Sequence, residues 1–205
     1  MFSCSWVVRS QLAILLVPAV LACGVAAAAQ QEDRATQAVA IARQRVERFE
    51  KLFARNAVTE AQLAEAKIQL LDAEIDLAER SDDGQTTTDR LRALVALQET
   101  EYRRARALHD KQVLGRIELS HRWHQLVFAK VRRARWEQNY GEAIRSLTEL
   151  LAYDQQTLAI YKQLREKNAV TDRDVQVVQS WVWTVENRLI ALNALAEEKD
   201  LESDK

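Results

Sequence analysis

The sequence predicts an all-α fold made of three tandem, long antiparallel helical hairpins, six up-and-down helices packed in a coiled-coil-like manner. Three observations carry that expectation. A short stretch recurs at a fixed interval of 56 residues, with Leu52, Leu108 and Leu164 in register, as are Asn56/Gln112/Asn168, Val58/Leu114/Val170 and Thr59/Gly115/Thr171; a period of this size means one supersecondary unit used repeatedly. Beyond residue 29 there is no proline, and the only glycines are Gly84, Gly115 and Gly141, so little interrupts a helix. Between these points apolar residues step by three and four, the spacing of a helix with one face against a neighbour.

Residues 1–29 read as a secretory signal peptide, with Arg9 ahead of the apolar run Leu12 to Val20 and small residues after it. Cleavage in the run Ala26 to Ala29 and lipid modification of Cys23 are both open. Either chemistry exports the chain, to the periplasm or to a lipid anchor on the outer membrane, and Cys23 is the one route to a membrane. Cys4 and Cys23 are the only cysteines, which leaves the body without a disulfide framework, zinc knuckle or thiol nucleophile. Residues 30–205 are expected to form a single helical domain, with hairpins at about 32–80, 89–138 and 142–198.

Charge is unevenly spread along that domain. Residues 30–90 carry 9 basic and 13 acidic side chains, 91–140 carry 11 and 5, and 141–205 carry 8 and 12. A basic middle unit between two acidic ones implies mutual attraction of the units, with an acidic partner or an anionic lipid surface as the alternative. Nothing points to nucleic acid.

The first helix shows Val39, Ala42, Val46, Phe49 and Phe53 as its stripe, with Leu52 beside them. It stops at Asn56, a residue that accepts the left-handed conformation. Thr59 then caps the next helix, Gln62 completes a capping box, and Val58 with Leu63 forms a hydrophobic staple. The same arrangement is expected at Thr171 with Asp174 and at Gly115 with Glu118. The second helix carries two seams, Leu63, Ala66, Leu70, Ala73 and Leu77 beside Ile68, Leu71, Ile75 and Ala78, hence two neighbours. It ends in a polar loop from Ser81, in which Thr88 or Asp89 is expected to cap the third helix.

The second hairpin has Leu91, Leu94, Tyr102, Ala105 and Leu108 inbound, and outbound a seam displaced towards Trp123, Val127, Val131 and Ala134, because Arg122 and Arg133 occupy the positions matching Ala66 and Leu77. After a turn around Asn139 to Gly141, Ile144, Leu147, Leu151, Leu158 and Tyr161 lead to the third tip. Val175, Val178, Val182, Val185, Leu189, Leu192 and Ala196 form the last stripe, and Glu197 to Lys205 is expected to fray. Alternation up and down would put the three tips at one end.

Candidate chemistry is sparse, and neither an enzyme nor a cofactor is expected. Glu118 and His121 have Glu-x-x-His spacing with His124 a turn further on, but a helical di-metal site wants a second such pair, and none exists. His109, His121 and His124 therefore read as surface histidines and no metal is expected. Trp123, Trp136, Trp181 and Trp183 read as core or interface aromatics, and Trp181 and Trp183 cannot share one face.

The tip motif resembles the α-helical hairpin of periplasmic adaptor proteins, also called membrane fusion proteins, of TolC-dependent tripartite efflux and secretion systems. That family marks its tip with an arginine, a leucine four residues on and a serine eleven residues on. Here Arg48, Leu52 and Thr59 stand at that spacing, followed by Arg104, Leu108 and Gly115, and by Ile160, Leu164 and Thr171. The likeness covers the hairpins and nothing resembling a lipoyl or β-barrel segment. It implies docking of the tips on an envelope partner, a TolC-type channel or adaptor assembly, through Arg48, Leu52, Thr59, Arg104, Leu108, Gly115, Leu164 and Thr171. An exported coiled-coil scaffold that self-associates through exposed second-seam residues, Ile68, Leu71 and Ile75, is the alternative.

Overall fold

A computed structural model describes residues 33–203, and among these the chain is helical between short turns, with no strand. The signal peptide and Cys23 lie outside the described residues. In chain order the helices are α1 (33–53), α2 (Glu60–Arg80), α3 (Gly84–Asp110), α4 (Arg116–Trp136), α5 (Tyr140–Glu166) and α6 (Asp172–Ser203). None of the described helices is long and apolar enough to cross a membrane. The last helix continues to Ser203, into the acidic stretch expected to fray.

Each turn solves the same problem, since the last carbonyls of a helix have no partner inside it. After α1, the Ala57 amide reaches the Leu52 carbonyl at 2.9 Å and the Asn56 amide reaches Phe53, with Asn56 at φ 54°. This is the Schellman closure of a helix. Gln112 at φ 60° and Asn168 at φ 56° do the same, with Val113 on Leu108 and Ala169 on Leu164, both at 2.9 Å. The turns after α2 and α4 use Asp82 and Gln138 at positive φ, with Asp83 on Ala78 and Asn139 on Ala134.

The helix starts are also specific. Thr59 caps α2 in a complete capping box with Gln62, and the Thr171 hydroxyl and amide pair with Asp174 ahead of α6. Asp83, not Thr88 or Asp89, caps α3: its carboxylate accepts from the Thr86 amide and hydroxyl. A carboxylate at the N-terminal end of a helix also meets the positive end of its dipole, so the helix begins earlier and takes the threonines into its first turn. Asn139 caps α5, and Gly141 is helical.

The chain divides into two compact units, one through Thr87 and one from Thr88. In the first, α1 and α2 run antiparallel, tied by Arg43 to Glu74, Arg45 to Gln69 and Lys67 to Glu50. Ala35, Val39 and Val46 are buried from α1, and Leu63, Ala64, Ala66, Ile68, Ile75 and Ala78 from α2. Of the second-seam residues that the scaffold alternative needs exposed, Ile68 and Ile75 are buried and Leu71 is half-buried.

The second unit contains α3 from Thr88 together with α4, α5 and α6. Helices α3 and α4 are antiparallel, with Trp136 donating to Thr88, Lys130 on Glu99, and Tyr102 against Trp123. The core joins Val127, Val131 and Ala134 of α4 to Ala143, Leu147 and Leu150 of α5 and Val185 and Leu192 of α6. A second cluster of Leu158, Tyr161, Val178 and Val182 takes in Ile117 and Val170, so the turns after α3 and α5 lie at the same end of this unit. The displaced seam of α4 and the stripe of α6 are as the spacing predicts. Of the neighbouring tryptophans, Trp181 packs against the core while Trp183 is 66% exposed, on a different face of the helix as their spacing requires.

A left-handed conformation costs a residue with a Cβ roughly 1 kcal/mol or more, and Gln112 and Gln138 hold it without the short polar side chain that eases it in asparagine. Gln112→Gly and Gln138→Gly should each raise unfolding stability by about 0.5–1 kcal/mol, read as a higher urea midpoint.

Candidate functional site

The residues singled out by the tip motif sort into those the turn accounts for and those it leaves over. Leu52, Leu108 and Leu164 supply the carbonyls that close the three turns, and the side chains of Leu52 and Leu164 are half-buried. Thr59 and Thr171 are spent as N-caps. Gly115 holds the cap position of α4 but has no side chain to close it, so the expected capping box is absent. Glu118 fills the vacancy, its Oε2 lying 2.5 Å from where a Cβ on Gly115 would sit. Arg104 is engaged within its own helix, both carboxylate oxygens of the buried Glu101 accepting from it at 2.9 Å. A carboxylate this far from water needs a charged partner, which gives Arg104 a folding role. Arg48 is different: it is exposed and has no ion pair among the described residues.

Apolar side chains remain uncovered at the tips. Val113 is 72% exposed, Phe53 41% and Leu108 37%. The second and third tips form one end of the second unit, where Val170 and Ile117 are tucked into the core and Val113 projects. The first tip, with Arg48 and Phe53, belongs to the first unit. At the third tip Arg165 grips Asp172 with two nitrogens and also donates to Asn168.

The carboxylates of these turns are tuned by their caps. The hydroxyl of Thr171, then its amide, hold Asp174 below the ordinary aspartate range. Arg165 does the same for Asp172, and Thr86 for Asp83. A group whose folded value is depressed contributes stability above its unfolded value and loses it as pH falls through the folded one.

Sequence reading missed a buried polar cluster in the second unit. His124 is not on the surface: it lies in the core against Phe128 and 4.9 Å from Trp181. Its Nδ1 meets the Ser120 carbonyl at 2.7 Å and its Nε2 meets Asp154 Oδ2 at 2.8 Å. A carbonyl only accepts, so the contact to Ser120 requires Nδ1 to be the donor. Ser120 and Tyr153 share a hydrogen bond at 2.9 Å beside it, while Asp154 Oδ1 has no partner among the described residues. The available signal was the spacing of Ser120 and His124, one turn apart, and of Asp154 inside an apolar stripe. Spacing cannot show that two polar positions on different helices meet. Ser120, His124 and Asp154 are all buried, and the cluster ties α4 to α5. Among the described residues, no group of three or more His, Cys, Asp or Glu side chains is placed to hold a metal.

Removing one partner of a buried pair costs about 3–5 kcal/mol, whereas replacing both by apolar residues is close to neutral. His124→Leu should lose that amount, and adding Asp154→Leu should recover most of it, as read in a urea double-mutant cycle. Lowering pH from about 5 to about 2 should destabilise the chain, and Asp174→Asn should flatten part of that slope. No protein-family model, no curated protein and no solved structure matches the chain, so its function has to be read from these residues.

Proposed function

We propose that this is an exported, non-catalytic helical-hairpin protein that docks on a component of the cell envelope through its hairpin tips, in the manner of an adaptor on a TolC-type channel. It is built as a tandem repeat of one hairpin. Left-handed residues at Asn56, Gln112 and Asn168, and at Asp82 and Gln138, fall at the 56-residue interval of the sequence, and this supports the repeat. The observation that carries the docking reading is the apolar surface left open at the tips. Val113, Phe53 and Leu108 sit beside turns whose polar groups are already satisfied, so folding gives no reason for their exposure. Uncovered apolar side chains ringed by polar ones are what a protein partner covers. Arg48, solvated and without an acid of its own, adds a charge that a partner carboxylate can take.

The corresponding experiment is partner capture from envelope fractions with crosslinkers at the three tips. Val113→Asp and the pair Arg48→Glu with Leu52→Asp should each reduce capture of the same partner by about tenfold, with helicity unchanged. Undiminished capture in both would end the docking reading. Self-association is the second reading, and it is favoured by Trp183 and Ile190, 66% and 68% exposed on α6 and seven residues apart, hence on one face. Under that reading, sedimentation should show a dimer of the full chain that Trp183→Ser with Ile190→Ser converts to monomer; a wild-type monomer eliminates it.

A further inference from the structure

A hollow of about 310 Å³ in the second unit lies between α4, α5 and α6. Its apolar wall is made by Val131, Leu147, Leu192 and Leu195, of which Val131, Leu147 and Leu192 are core residues. Arg135 and Arg188 complete the lining, and both reach solvent. The Arg188 guanidinium is held 3.9 Å above the Phe128 ring, a contact that positions a cation without neutralising it.

What sets these two arginines apart is that they share one apolar hollow and neither is ion-paired among the described residues. Arg43, Arg104, Arg133 and Arg165 each have a carboxylate, and the hollow in the first unit, lined by Arg34 and Arg80, carries its own in Asp76. Arg135 and Arg188 have no ion pair among the described residues. Burial first, and then the like charge of Arg135, make the Arg188 cation easier to deprotonate than an ordinary arginine. No acid offsets either effect. Two like charges beside an apolar surface repel each other, and an anion placed between them turns the repulsion into two attractions.

We propose that this hollow binds a single-chain anionic amphiphile, its head held by the guanidiniums of Arg135 and Arg188 and its tail laid on Val131, Leu147, Leu192 and Leu195. Guanidinium matches carboxylate and phosphate oxygens in pairs, and the volume is at the small end for ligand sites, which suits one acyl chain. The occupant is a free amphiphile and not a bilayer, because three of the four apolar residues of the wall, Val131, Leu147 and Leu192, are buried in the core and only Leu195 is exposed.

Calorimetric titration of the purified full chain with decanoate, below its micelle-forming concentration, tests this. One saturable site is expected, with affinity reduced at least about tenfold in Arg188→Gln and in Arg135→Gln, abolished by Leu195→Asp, and with no competition from uncharged decanol. Decyl phosphate binding more tightly with the same dependence on both arginines would support the site and assign a phosphate head. The proposal is overturned if neither amphiphile binds saturably, if binding survives undiminished in both arginine variants, or if association occurs only with anionic vesicles. Circular dichroism of each variant separates loss of the site from loss of the fold, and docking at the tips can fail or succeed independently.

Discussion

Everything in this chain depends on ending a helix without proline and almost without glycine. The last carbonyls of each helix must find donors, and the amide of the residue after a left-handed one is the donor the chain uses. Asn56, Gln112 and Asn168 take that conformation, and the carbonyls of Leu52, Leu108 and Leu164 receive the bonds. A cap three residues beyond the left-handed position then starts the next helix. Because turn and cap occupy so few residues, consecutive helices in a hairpin have no choice but to run back along each other, and their apolar stripes face inward.

Given that geometry, the interior of the second unit divides into apolar ground and one polar anchor. Val127, Val131, Leu147, Leu150, Val185 and Leu192 form a continuous apolar cluster, which fixes that α4, α5 and α6 associate but says little about sliding. The contact of His124 with Asp154, with Ser120 and Tyr153 beside it, is directional. A slip by one turn would strand buried polar groups, so the cluster selects a register that hydrophobic contact alone leaves loose.

Two of the surfaces left over once folding has been satisfied differ in kind. At the tips there are apolar side chains beside completed turns, suited to the flat contact of a protein partner. Between α4, α5 and α6 there is a recessed apolar wall under two cations, suited to a small molecule with a charged end. The proposals differ in chemistry because the surfaces differ in shape and charge, and neither involves a reacting group.

The sequence by itself determined the helices, their turns and most of the core. Three-four spacing, the positions of Asn56 and Asn168, and the capping residues Thr59 and Thr171 act within a few residues of one another, where local geometry decides the outcome. It placed the α4 seam on Val127, Val131 and Ala134 for the same reason, since arginines at the alternative positions exclude that face. The start of α3 was misread because several threonines and aspartates compete for one cap, and Asp83 prevails through the bonds it makes to Thr86. Only the tertiary structure decided which polar residues meet across helices. His124 with Asp154 are 30 residues apart in the chain, and Arg135 with Arg188 are further still, so no periodicity relates them. Their neighbours are set by how the hairpins pack, and that is where the buried polar cluster and the arginine-lined hollow arise.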